Sequence, residues 1–161
     1  MLDDRDLHIL TLLQSDARIS NAEIGRAVGL APSAVLERIR KLERRGVVRG
    51  YSARLDPAAL GCGLLAFVFV QADERPGQTD LGEELAALPE ALEVHHIAGE
   101  DCYLVKLRCP STDALGRLLK ERITMLPQVR RTRTTVVLGT VREGWDLAIP
   151  AAAEGGSHDP D

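Results

Sequence analysis

Apolar residues recur every three or four positions through the first third of the chain, and that period predicts three helices. Leu7, Leu10 and Leu13, with Ile9 and Leu12 beside them, mark the first. Asp3, Asp4 and Asp6 stand at the positive end of its dipole. Ser20-x-x-Glu23 opens the second as a capping box, each side chain able to bond the other residue's backbone N–H. Its apolar positions are Ala22, Ile24, Ala27 and Val28, and Gly29 ends it because a left-handed cap favours glycine. Pro32 sits at the first position of the third helix, where a missing N–H does no harm. Val35, Leu36, Ile39 and Leu42 form that helix's buried stripe, which ends at Gly46. Two helices joined by a short Gly-containing turn, the second one basic, make a helix-turn-helix.

From Val47 to Leu55 the pattern becomes extended, Asp56-Pro57 marks a turn and Gly61-Cys62-Gly63 a joint, so a linker is placed at 50–61. Beyond it, strand and helix signals alternate. Leu64 to Val70 is an apolar run of strand length, followed by Pro76-Gly77. Leu81, Leu85 and Leu88 predict a helix up to Pro89, and 92–98 and 102–108 predict two strands around a Gly99-Glu100-Asp101 turn. Leu115, Leu118, Leu119, Ile123 and Leu126 give a helix from Ser111 to Pro127, and a last strand spans 129–141. The order β-α-β-β-α-β is the ferredoxin-like pattern, a four-stranded sheet with both helices on one face. Phe67, Phe69, Val105 and Val137 cannot all point at those helices, so a second subunit is expected over the other face. The chain thus divides into a helix-turn-helix domain at 1–49, a linker or strand at 50–61, a ferredoxin-like domain at 62–142 and a largely disordered tail at 143–161. The fold class is α+β: a three-helix, winged-type helix-turn-helix domain, then a ferredoxin-like βαββαβ domain.

Charge changes the picture. The net charge is −4 and the pI near 5.6, which at face value argues against nucleic acid. Residues 1–54, however, carry ten basic against seven acidic groups, +3, and the remainder carries −7. The excess is local: Arg38, Arg40, Lys41, Arg44 and Arg45 fall within 31–46 against Glu37 and Glu43. The exposed face of the third helix is expected to present Ser33, Ala34, Glu37, Arg38 and Lys41 to a major groove, with Arg44 and Arg45 extending the basic run.

Other chemistry is sparse. Three cysteines, Cys62, Cys102 and Cys109, form no CxxC pair and fit a reducing cytoplasm. His95 and His96 are adjacent on a strand and so point apart, and no metal site or cofactor is expected. No apolar run is long enough for a membrane span and the acidic N-terminus is unlike a secretory signal, so the expected location is cytoplasmic. With 3% aromatics, the sheet lacks the paired stacking rings of an RNA-binding platform.

An ordered set of segments resembles the Lrp/AsnC (feast/famine) transcription regulators over about residues 2–142. They are Leu2-Asp3-Asp4-Arg5-Asp6-x-x-Ile9-Leu10, Asp16-Ala17-Arg18-Ile19-Ser20-Asn21-x-Glu23-Ile24 and Val28-Gly29-Leu30-x-Pro32-Ser33. Arg38 to Glu43 with Gly46-Val47-Val48-x-Gly50-Tyr51, Gly99-x-x-x-Tyr103-Leu104-Val105, and Leu126-Pro127-x-Val129-x-x-Thr132-x-Thr134 complete the set. The resemblance implies a winged or wing-less helix-turn-helix that binds promoter or operator DNA, and a sensing domain that assembles as homodimers, then tetramers or octamers. It also implies a small-molecule effector, such as an amino acid, at the turn between the second and third strands and the Thr-rich last strand. Carried onto this chain, those positions are Gly99, Glu100, Asp101, Cys102 and Tyr103 with Thr132, Thr134 and Thr135. Where many members have Asp before the Tyr, this chain has Cys102. Two other functions share the architecture: the sirohaem decarboxylases, and effector-independent nucleoid-type DNA-binding proteins. A regulator without catalytic activity is expected.

Overall fold

Three helices close around five side chains that lose almost all contact with water. In the computed structural model, which describes residues 1–73 and 80–150, these are α1 (Asp4–Ser15), α2 (Asn21–Val28) and α3 (Pro32–Arg44). Their core is Ile9, Ile24, Val35, Ile39 and Leu42. The Ser20/Glu23 capping box forms as expected, and Gly29 ends α2 at φ 69°. Gly25 is the residue that makes the turn tight. The Leu30 N–H returns to the Gly25 carbonyl at 2.9 Å, and a Cβ at Gly25 would stand 2.5 Å from the Leu30 carbonyl oxygen.

No strand follows α3. The pattern from Val47 to Leu55 predicts an extended segment, with a wing, yet residues 47–63 carry no β structure. The reason is local: the Val47 N–H donates to the Leu42 carbonyl at 2.9 Å and so closes the helix end, and Val48 packs on the helical core. The Asp56-Pro57 turn does form, with the Ala58 N–H on Asp56 Oδ1 at 2.9 Å and the Cys62 N–H on the Pro57 carbonyl at 2.7 Å.

The second unit, Arg54–Arg142, contains β1 (Leu64–Ala72), α4 (Leu81–Ala86), β2 (Ala91–His96), β3 (Tyr103–Cys109), α5 (Thr112–Leu118) and β4 (Val129–Val136). A π-helical turn, Leu119–Ile123, continues α5. The sheet is antiparallel with order β2-β3-β1-β4, as the ferredoxin-like pattern requires. Alternation assigns its faces. Ala66, Val68 and Val70 of β1 and Tyr103, Val105, Leu107 and Cys109 of β3 are buried with Leu81, Leu85, Leu88, Leu115, Leu118 and Ile123. Phe67 and Phe69 occupy the other face and are only partly covered. The last strand stops at Val136, short of the expected 141, and Leu138 and Val141 are fully exposed.

The chain then returns. Residues 143–150, expected to begin a disordered tail, have no regular secondary structure but group with the helical unit. Gln14 of α1 holds the backbone of Leu147 at two points: its Nε2 donates to the carbonyl at 2.8 Å and its Oε1 accepts the N–H at 2.9 Å. The Pro76-Gly77 turn and the tail from 151 lie outside the described residues.

Candidate functional site

Five exposed residues of α3 fall in one stripe, with exposed Pro32 and Glu43 to one side of it. Ser33, Glu37, Arg40, Lys41 and Arg44 are all exposed, at spacings of four, seven, eight and eleven from Ser33, which keeps them on one side of a helix. Ala34 lies at its margin, half-buried, and Arg45 is exposed at the helix end. Arg40 belongs to this face although the expected set omits it; its Nη1 meets Glu37 Oε1 at 3.2 Å, one turn away. The helical angle alone would have found it, since it lies seven residues from Ser33. Lys41 and Arg44 also suit the negative end of the α3 dipole.

Arg38 behaves differently. It leaves the stripe and turns toward α1, where its Nη1 contacts Asp3 Oδ2 and Asp6 Oδ1, both at 2.7 Å. The Arg38 guanidinium, together with the Asp6 N–H, holds the Asp3 carboxyl below the usual carboxylate range, and the two carboxylates in turn raise Arg38.

Directly paired residues of a sheet point to the same side, and this sorts the eight positions expected around the effector. Tyr103 pairs with Val70, and Val70 with Thr132, so Tyr103 and Thr132 share one rung on the helix side. Thr134 follows on the same side, opposite Val68. Thr135 pairs with Phe67 and faces the other way. Tyr103 is 6% exposed; its ring lies 5.0 Å from the His96 ring in a stacked arrangement, and a Cβ at Gly82 would stand 3.0 Å from it and from Asp80 Oδ1. Gly99, at φ 137°, Glu100 and Asp101 form the turn between β2 and β3, which the Ile97 N–H closes on the Cys102 carbonyl at 2.8 Å. The Cys102 N–H is already bonded to the Val70 carbonyl, and its thiol lies 3.5 Å from the Ala72 carbonyl.

Asp101 reaches the opposite face of the sheet. Its Oδ2 accepts from Arg133 Nη2 at 3.0 Å, while the same guanidinium lies 3.9 Å above the Phe69 ring. That face also carries Glu93, whose oxygens meet Lys106 at 3.0 Å and His95 at 3.2 Å. Burial pushes the Glu93 carboxyl up, but the bonds from Lys106 and His95 outweigh it and leave the group below its ordinary value. His95 and His96 point apart as expected, one to each face. Among the described residues there is no group of three or more potential metal ligands, and no helix is long and apolar enough to cross a membrane.

Comparison with known proteins also finds two domains. Residues 2–43 match the AsnC-type helix-turn-helix domain, and residues 65–146 match the Lrp/AsnC ligand binding domain. The chain belongs to the Lrp/AsnC family. The leucine-responsive regulatory proteins of Salmonella typhimurium and Escherichia coli K12 are 42% and 41% identical to it over 152 residues, 92% of this chain and 92% of each relative. The feast or famine regulatory protein of M. tuberculosis, complexed with L-methionine, superposes with a TM-score of 0.84 at 38% identity, over 93% of this chain and 100% of that one. E. coli AsnC gives 0.83 at 25% identity, over 91% and 98% of the two chains. A transcriptional regulator of Neisseria meningitidis in complex with L-Met gives 0.82 at 29% identity, over 92% and 97%. This Lrp/AsnC member is therefore a transcriptional regulator with a DNA-binding helix-turn-helix unit and a ligand-binding unit.

Proposed function

We propose that the exposed stripe of α3 is the DNA-reading surface and that the ligand-binding unit answers to an amino acid. The stripe carries the reading: Ser33, Glu37, Arg40, Lys41 and Arg44 lie on one exposed side, with Ala34 and Arg45 at its borders. A dimer presents two such helices to successive major grooves about 34 Å apart and reads a pseudo-palindrome. The test is footprinting on the DNA upstream of the protein's own coding region. Protection of two half-sites one helical turn apart is expected; uniform protection along the whole fragment would overturn the sequence-specific reading.

The proposed effector site is the β2–β3 turn, Gly99 to Tyr103, together with Thr132 and Thr134 of β4, which lie across β1 from β3. Two structural neighbours are bound to L-methionine, which supports an apolar amino acid as the ligand class. Turn N–H groups suit its carboxylate, and Glu100, which is exposed, suits its ammonium. Saturating L-methionine at about a hundred times Kd is expected to stabilise the folded chain by about 2.7 kcal/mol. A thermal-shift series across the amino acids that leaves every melting temperature unchanged would exclude this ligand class.

Assembly is proposed to run through the sheet face that carries Phe67 and Phe69, since α4 and α5 cover only the other face. Phe69→Glu puts a carboxylate into that face and is expected to lower the sedimenting mass to that of a monomer. An unchanged mass would move the interface elsewhere.

A further inference from the structure

The four carboxylate oxygens of Asp3 and Asp6 are divided evenly between two tasks. Asp3 is the N-cap of α1 and Asp6 its third residue, and each bonds the other's backbone: the Asp6 N–H donates to Asp3 Oδ1 at 2.8 Å, the Asp3 N–H to Asp6 Oδ2 at 3.3 Å. The remaining oxygen of each, Asp3 Oδ2 and Asp6 Oδ1, accepts from Arg38 at 2.7 Å. The Asp6 side chain is 11% exposed and that of Arg38 30%. The start of one helix thus grips the middle of another through residues more than thirty positions away.

The rest of the α1–α3 contact is apolar. Ile9 packs with Val35, Ile39 and Leu42, and such contacts are not directional. They hold two helices together while leaving small rotations of α3 about its own axis inexpensive. A guanidinium pinned by two carboxylates, themselves fixed by a helix cap, resists that rotation. The stripe from Ser33 to Arg44 is only useful to DNA if it faces the groove.

We infer that Arg38 is a positioning residue for DNA recognition, one that sets the rotation of α3 against the N-terminus of α1 and does not itself neutralise a phosphate. This rests on α3 being the reading helix, as proposed above. If the stripe variant described below leaves DNA binding unchanged, that reading fails whatever Arg38 does.

The two roles for Arg38 differ in sign. Were Arg38 a phosphate contact, Asp3 and Asp6 would compete with DNA for it, and neutralising either would tighten binding. With Arg38 as a clamp, neutralising Asp6 frees α3 to rotate and weakens specific binding. The experiment uses the full chain and two probes, a duplex selected by the wild-type chain from random-sequence DNA and an unselected duplex of equal length. Binding is measured across a salt series, at a temperature where each variant is folded by circular dichroism.

Asp6→Asn and Arg38→Gln are each expected to weaken binding of the selected duplex by roughly ten- to a hundredfold, the scale of one mismatched base pair. Binding of the unselected duplex stays near wild type and the salt slope is unchanged, whereas simple loss of fold would reduce binding to both probes. The double variant is no worse than the worse single, because both break one contact. Arg38→Lys recovers part of the loss, its ammonium reaching one carboxylate. Asp3→Asn, at a side chain 55% exposed, repeats the sign test if Asp6→Asn does not fold. Tighter binding by either Asn variant would overturn the inference. So would a salt slope reduced in Arg38→Gln by about 0.9 per lost contact.

Discussion

Gly25→Ala is expected to destabilise the helical unit by about 1–3 kcal/mol, the cost of forcing a methyl into a filled core. The added Cβ would stand 2.5 Å from the Leu30 carbonyl oxygen, and that oxygen belongs to backbone that cannot swing aside as a side chain can. Relief requires opening the α2–α3 turn, so the Leu30 N–H bond to the Gly25 carbonyl and the placement of α3 suffer together. Each kcal/mol lowers the melting temperature of a unit this size by about 4–8 °C. Two other glycines separate the causes. Gly29 has open space around it but φ 69°, so alanine there meets only the left-handed strain of about 1–2 kcal/mol. Gly116, in α5, has neither obstacle, and alanine there is expected to stabilise by about 0.5–1 kcal/mol. A Gly25→Ala protein that melts with the wild type would refute the close-approach account of the turn.

Replacing Arg40, Lys41 and Arg44 together by alanine is expected to abolish most of the salt dependence of DNA binding. A dimer making about six phosphate contacts loses on the order of 10³-fold in affinity between about 50 and 200 mM salt. Three cations removed from each protomer take away that many contacts, and the remaining dependence should fall to about tenfold or less. Alanine is the best helix former, so α3 itself persists. Fluorescence anisotropy on one duplex across a salt series gives both affinity and slope. A variant that binds weakly with an unchanged slope would mean that these residues act through the fold and not through charge.

What could be read from the sequence was what lies close along it. Ser20, Glu23 and Gly29 announce the ends of α2 because caps are made within three or four residues, and Pro32 does the same for α3. The order of strands and helices in the second unit was equally legible, since apolar period and turn residues are local signals. The faces of β1 were not. Leu64 to Val70 is apolar without interruption, so alternation cannot show that Val68 looks at the helices and Phe69 away from them. The same blindness put Thr132, Thr134 and Thr135 in one expected site, although pairing with β1 sends Thr135 to the opposite side. Arg38 shows the limit most clearly. Its charge and position place it among the basic residues of α3, and only a fold that brings residue 3 beside residue 38 reveals its partners. The wing failed for a different reason: Val47 and Val48 look like a strand, but their N–H groups and side chains are taken by the end of α3 and its core.

The bond between Gln14 and Leu147 gives the helical unit a history as well as a shape. The two residues are separated by 133 positions, so α1 leaves the ribosome long before this partner exists. At about 5–20 residues per second, the delay is roughly 7–27 s. Throughout that time the three helices stand on their own core of Ile9, Ile24, Val35, Ile39 and Leu42, while the whole sheet unit is being made. Leu147 arrives only after β4 is complete, so the backbone grip on α1 records that the last strand of the sheet has been synthesised. A chain terminated at residue 142 would leave Gln14 of α1 without this backbone partner for good.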